Sequence, residues 1–304
     1  MAARRMAKHA ARRRNPGVAA VAVLLIVAGL GVCLYPAAAN MLANRAHAAA
    51  IVGYRAAVSQ LDAAALQRQW EAADRYNRAL ANGRVPVPDA SAPVPGTASP
   101  DYDALLNVAG DGAMGYVTIP RIGLLLPIYH GTGEETLAKG VGHLRRSSLP
   151  VGGDGSHAIL TGHRGLPSAE LFTRLDELAV GDQFSVTVLE RSLTYRVTSV
   201  RTVEPREIAG LGIEPGRDLV TLVTCTPYGV NTHRLVITGE RVGDGDAVDA
   251  ATAPTGDGRI PYMAWIAGGI TVLLSALAIG AARTRSRIHA RTHTRTYTHK
   301  ENKS

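Results

Sequence analysis

The chain has 304 residues and carries 33 Lys and Arg against 25 Asp and Glu, a formal charge of +8. That excess is confined to the ends: Arg4, Arg5, Lys8, Arg12, Arg13 and Arg14 precede residue 17, and Arg283, Arg285, Arg287, Arg291, Arg295, Lys300 and Lys303 follow residue 282. With these 13 and Glu301 set aside, the remainder holds 20 basic against 24 acidic residues, so there is no basic surface to track a phosphate backbone and nucleic-acid binding is excluded.

In chain order, residues 1–16 form a basic N-terminus and residues 17–35 an uncharged apolar segment of membrane-spanning length. Residues 260–282 form a second such segment, followed by the basic tail 283–304. Positive charge outside both segments predicts two cytoplasmic termini and an extracytoplasmic middle. The competing reading of the first segment is a signal peptide cleaved near the small residues Ala37–Ala39, which exports the middle equally well. Residues 40–81 set Leu42, Ile51, Tyr54, Val58, Leu61, Leu66, Trp70 and Leu80 among charged and polar residues, a pattern of one or two amphipathic helices. These serve either as a stalk or cover for the domain C-terminal to them or as a solvated spacer. Residues 82–100 are Pro-rich (VPVPDASAPVPGTASP), an extended connector.

From Tyr116 to Val242 short runs of branched apolar residues alternate with Gly, Pro, Asp and Asn. Strands are predicted at Gly115–Ile119, Leu124–Ile128, His157–Thr161, Gln183–Leu189, Leu193–Val203, Asp218–Thr224 and Arg234–Glu240. A helix is predicted over Ala169–Leu178, from Leu171, Phe172, Leu175 and Leu178 at core spacing. Seven or eight short strands indicate a mainly β fold, a closed or nearly closed barrel within a domain of residues 101–243. Residues 244–259 are a linker.

Only two cysteines occur. Cys33 lies in the first apolar segment, so Cys225, at the end of TLVTC, is an unpaired thiol in the exported part, where thiols oxidise. It reads as a nucleophile, with a buried structural cysteine as the alternative. His163 and Arg164 follow the strand HAILT, and Arg234 begins the strand after the TPYGVN loop. If these strand ends share a rim, a thiol, an imidazole and a guanidinium converge, a set suited to acyl transfer. His130, His143, His157 and His233 are rival bases that spacing does not exclude.

The stretch TLVTCTPYGVNTHRL resembles the active-site signature of sortases, specifically class C, the pilin-polymerising type. YDALLN, MGYVTIPRI, LPIYHGTGEETLAKGVGHLRRSSLPVGG, HAILTGHRGLPSAELFTRLDELAVGD and LVITGERV resemble the same family in order, over Tyr102–Val242. A C-terminal span with a basic tail also resembles class C. The resemblance implies an eight-stranded β-barrel with short helices, preceded by N-terminal helices and flanked by two transmembrane segments. It makes Cys225 the nucleophile, His163 the acid or base, Arg234 the residue that binds substrate and steadies the oxyanion, and Thr224 a residue shaping the sorting-signal groove.

The implied reaction cleaves an LPxTG-like signal between Thr and Gly through a Cys225 thioester, which a pilin lysine amine then resolves. Partners are therefore LPxTG-bearing pilin or surface proteins, an amine acceptor and the membrane. The alternatives are a housekeeping sortase joining surface proteins to cell-wall precursor, and a silent membrane-tethered scaffold, against which the intact Cys225, His163 and Arg234 argue. No cofactor or metal is expected, since CxxC, HExxH and EF-hand spacings are missing. One departure concerns the lid that class C sortases carry: its Asp-Pro-aromatic motif is represented only by Asp89-Ala90-Ser91. Asp89 is the candidate lid residue, without the aromatic anchor.

Overall fold

A computed structural model describes residues 16–83 and 100–245. The basic ends, most of the Pro-rich connector with Asp89, the linker after Gly245, the second apolar segment and the tail lie outside the described residues. Helix α1 runs over Pro16–Ser59 and α2 over Ala63–Ala81. The first apolar segment and the start of the amphipathic region, read separately in the sequence, form one helix that continues through Pro36. Its N-terminal part shows apolar side chains to the surroundings, Leu24 at 67% and Val32 at 74% exposure. Among the described residues it is the one helix long and apolar enough to cross a membrane.

The C-terminal part of α1 belongs to the globular core. Ile51, Tyr54 and Val58 are buried, each contributing roughly 1.5–3 kcal/mol by leaving water. Tyr54 Oη donates to Met114 O at 3.0 Å and accepts from Leu189 N at 2.7 Å, so the helix is tied to two barrel segments. Asp62 ends the intervening turn and caps α2 by accepting from Ala65 N, which satisfies a donor the first turn leaves open. Asn77 of α2 then mimics a strand edge: its amide donates to Leu149 O at 3.0 Å and accepts from Leu149 N at 2.7 Å. Trp70 lies under the Arg191 guanidinium, 4.2 Å from ring centre.

After the short helix α3 (Pro100–Ala104) come β1 (Ala113–Ile119), β2 (Leu124–His130), α4 (Glu134–Lys139), β3 (Val141–His143) and β4 (Ser156–Thr161). The barrel is completed by β5 (Gln183–Val188), β6 (Arg191–Val203), β7 (Asp218–Thr226) and β8 (His233–Gly245). The sheet closes in the order β1-β2-β3-β4-β7-β8-β6-β5, with β1 pairing back onto β5. Pairs β2–β3 and β4–β7 are parallel and the rest antiparallel. Closure removes every sheet edge, and the mainly β barrel expected from the strand pattern is the fold observed.

Three expectations need correction. Ala169–Leu178 is not a helix: it is a run of turns ending in a 3-10 turn at Leu175–Glu177. Leu171 sits at φ +40, Glu170 N bonds to Asn40 Oδ1 and Phe172 N to His163 O, so long-range partners hold the backbone out of a helix. Leu171, Phe172, Leu175 and Leu178 are all buried, which means the apolar spacing recorded burial rather than helix. Strand β3 has three residues, too few for a periodic signal. Strand β7 runs to Thr226, two residues past the predicted end at Thr224.

Candidate active site

Strands β4 and β7 are parallel neighbours, so their C-terminal ends open onto the same rim. Their ladder runs from Ser156 opposite Asp218 to Thr161 opposite Val223, followed by a last backbone bond from Gly162 N to Val223 O at 3.0 Å. Beyond it, side chains replace the backbone while keeping the spacing. Thr224 Oγ1 donates to Gly162 O at 2.7 Å and Arg164 Nη1 donates to Thr226 Oγ1 at 3.2 Å, each joining residues 62 apart as in the ladder. His163 in the turn after β4 and Cys225 near the end of β7 therefore both fall, along their segments, between these two bonds. On the other flank β7 pairs antiparallel with β8, setting Arg234 opposite Cys225 and His233 opposite Thr226.

Of the five predicted residues, Cys225, His163, Arg234 and Thr224 thus meet at one rim, while Asp89 lies outside the described residues. Cys225 is a half-buried free thiol and His163 is half-buried. Thr224 is 1% exposed, so its hydroxyl fixes the turn after β4. That turn depends on two glycines. A Cβ at Gly162 would lie 2.7 Å from the Phe172 ring, and Gly165 combines φ +78 with the Tyr228 ring over its Cα, a backbone that a side chain would strain.

Three of the rival histidines are committed elsewhere, and the fourth, His233, stands exposed at the start of β8. His143 is fully buried, with Nε2 facing Ser148 O at 2.8 Å and Nδ1 accepting from Tyr102 Oη at 2.8 Å. Burial pushes its pKa down to about 4, because the charged ring would lose its hydration. His157 faces Gly212 O and Thr221 Oγ1, both at 2.7 Å, and burial lowers its pKa as well. Both ring nitrogens of His130 meet carbonyls, Gly112 O and Leu105 O at 2.8 Å. His233 is exposed and pairs with Thr232 Oγ1 at 2.9 Å. The His163 ring, by contrast, makes no hydrogen bond among the described residues, leaving both nitrogens available to a thiol and a leaving group.

The rim carries two guanidinium groups in different states. Arg164 pairs with Asp176 at 2.5 Å. Arg234 donates Nη1 to Asn231 O at 3.2 Å and His233 O at 3.0 Å, with no acidic partner among the described residues. Carried opposite Cys225 on β8, this guanidinium has the charge and donors suited to an oxyanion formed on attack. Groups of three or more His, Cys, Asp or Glu able to hold a metal are not found among the described residues. The sequence reading left Asp176 and Thr226 unremarked: both act through geometry, and only the shared spacing of TGHR and VTCT hinted at the second.

A sortase domain matches residues 117–242. The structure is similar to sortase C1 of Streptococcus agalactiae, 43% identical over 64% of this chain and 99% of that one, with a TM-score of 0.58. It is also similar to sortase C of Streptococcus pneumoniae, a protein reported with pilin substrate specificity, 39% identical over 65% of this chain and 98% of that one, TM-score 0.57. Sortase D of Bacillus subtilis is 32% identical over 133 residues, which make up 43% of this chain and 64% of that relative's length. With the matched domain spanning the barrel strands and the class C structures aligning along nearly their whole length, the chain belongs to the sortase family, among the class C sortases.

Proposed function

We propose that the protein is a membrane-anchored transpeptidase in which Cys225 attacks the threonine carbonyl of an LPxTG-like sorting signal. His163 takes the thiol proton and returns it to the departing glycine amine, while Arg234 leaves its loop carbonyls to hold the carbonyl oxygen as it becomes negative. The S–C bond formed is a thioester, and release of the glycine-bearing tail leaves the substrate acylated on Cys225. A lysine amine of a second pilin subunit then displaces the thiolate, forming an isopeptide bond and extending a pilus. Thr224 keeps the groove floor in place through Gly162.

The observation that carries this reading is the continuation of the β4–β7 spacing to His163 and Cys225 with Arg234 on the opposite flank of the same residue. The exposed apolar half of α1 supports the anchor, and the likeness to a sortase C with pilin specificity supports the acceptor. The test is to incubate the purified chain with a soluble LPxTG peptide and look by mass spectrometry for an adduct on Cys225 that hydroxylamine removes. Competing a pilin lysine peptide with a cell-wall peptide amine then identifies the acceptor. An adduct on no residue, or on one other than Cys225, overturns the assignment.

A further inference from the structure

Arg164 stands beside the proposed dyad and is not one of its members. Its side chain is 8% exposed, and its two terminal nitrogens have different partners: Nη1 on Thr226 Oγ1 and Nη2 on Asp176 Oδ2. Nε is buried and has no hydrogen-bond partner among the described residues. A guanidinium is a planar fork with fixed angles between its donors, so anchoring one arm on Asp176 aims the other at Thr226. Asp176 lies on the 3-10 turn whose Leu175 is fully buried, which fixes the backbone that carries the carboxylate. A buried donor left unmatched is costly, and an apolar side chain would fill the same space without that cost.

Past Thr224, the bond from Arg164 to Thr226 is the hydrogen bond among the described residues that joins the His163 turn to the Cys225 strand, alongside the packing of the Tyr228 ring on Gly165. We propose that Arg164 is the positioning residue of the His163–Cys225 pair, with Asp176 aiming it and Thr226 receiving it. This rests on the nucleophile reading above. Without the bond, the end of β7 keeps its pairing with β8 and the Tyr228 contact on Gly165 but loses its hydrogen bond to the turn, so the imidazole–thiol separation is free to widen. The charged and titratable groups on the elements that meet here are His163 and Arg164 from the turn after β4, Arg234 and His233 from β8, Asp176 from the 3-10 turn, Tyr228 from the loop after β7, and Glu204, Arg206 and Glu207 from the segment that follows β6 and packs on β8. Arg164 and Asp176 balance one another there.

The test uses the full-length protein in detergent micelles, a soluble LPxTG peptide, and the pH dependence of Cys225 alkylation by iodoacetamide. Thr226→Val removes the acceptor with little change of shape. It is expected to lower kcat by ~10-fold or more with KM within ~2-fold, the scale of a misplaced catalytic group. Arg164→Gln lowers kcat further and moves the alkylation midpoint to higher pH, because Asp176 is left uncompensated. Asp176→Asn moves the midpoint to lower pH. Arg164→Lys restores the midpoint and not kcat, since a lysine keeps the charge without the fork.

Wild-type kcat per alkylatable Cys225 in Thr226→Val and Arg164→Gln, or a midpoint unmoved by both charge changes, overturns the proposal and leaves Arg164 a structural residue. Cys225→Ala is run in parallel. If it is inactive while the Arg164 variants are normal, only the positioning role is lost; if it is active, the nucleophile reading falls and this inference with it.

Discussion

Thr224→Val tests how the turn carrying His163 is held. The hydroxyl of Thr224 donates to Gly162 O at 2.7 Å and the residue is 1% exposed, so valine keeps the volume and leaves a buried carbonyl without its donor. Such an orphaned group costs about 1–3 kcal/mol. With a guanidinium m-value of about 4 kcal/mol/M for a domain of this size, the midpoint should fall by about 0.5 M with m unchanged. Trp70, packed under Arg191, supplies the fluorescence signal in detergent-solubilised protein. The same substitution frees Gly162, one residue from His163, so kcat on a sorting peptide should fall by roughly 10- to 100-fold. Unchanged stability together with unchanged kcat would refute the argument that this bond holds the turn.

Cys225→Ala should abolish both peptide cleavage and transpeptidation while circular dichroism stays that of the wild type, since the change removes one sulfur from a half-buried rim position; residual polymer formation would contradict the assignment. His163→Ala and Arg234→Ala should each lower kcat/KM by ~100-fold or more, and equal losses in His233→Ala with none in His163→Ala would move the base to His233. Stability should depend on pH through His143. Its pKa of about 4 in the folded protein lies below the ordinary histidine value of 6.5, so the unfolded chain binds more protons between those limits. Stability is then complete above about pH 6.5 and declines by about 3 kcal/mol as pH falls toward 4. Denaturation curves in His143→Gln should show a shallower acid slope, and an unaltered slope would assign the effect elsewhere. Deleting Val87–Ser99, which includes Asp89, should change the rate of Cys225 alkylation only slightly, because the lid motif lacks its aromatic anchor; an acceleration of ~10-fold would show that this segment covers the thiol. A fully buried aromatic would add roughly 1.5–3 kcal/mol to closure.

The strand pattern alone determined that the central part is a barrel, because alternation of branched apolar residues with turn residues is a local signal that each strand carries by itself. The odd cysteine and the TGHRG and NTHRL segments marked the candidate reactive residues by type, since a thiol, an imidazole and a guanidinium are recognisable without coordinates. Choosing among the histidines was beyond the sequence. His143 and His157 are withdrawn by burial and by partners such as Ser148, Tyr102, Gly212 and Thr221, which are distant enough in the chain that periodicity does not register them. Ala169–Leu178 had helical spacing, yet the bonds from Asn40 and His163 to its backbone came from other elements and overrode the local preference. The pairing of β4 with β7 was likewise a decision of the closed sheet: parallel strands are joined by long connections, so nothing nearby in the chain states which strand end His163 will face. Register, and with it the bracket of Thr224 and Arg164 around the dyad, exists only once the barrel has closed.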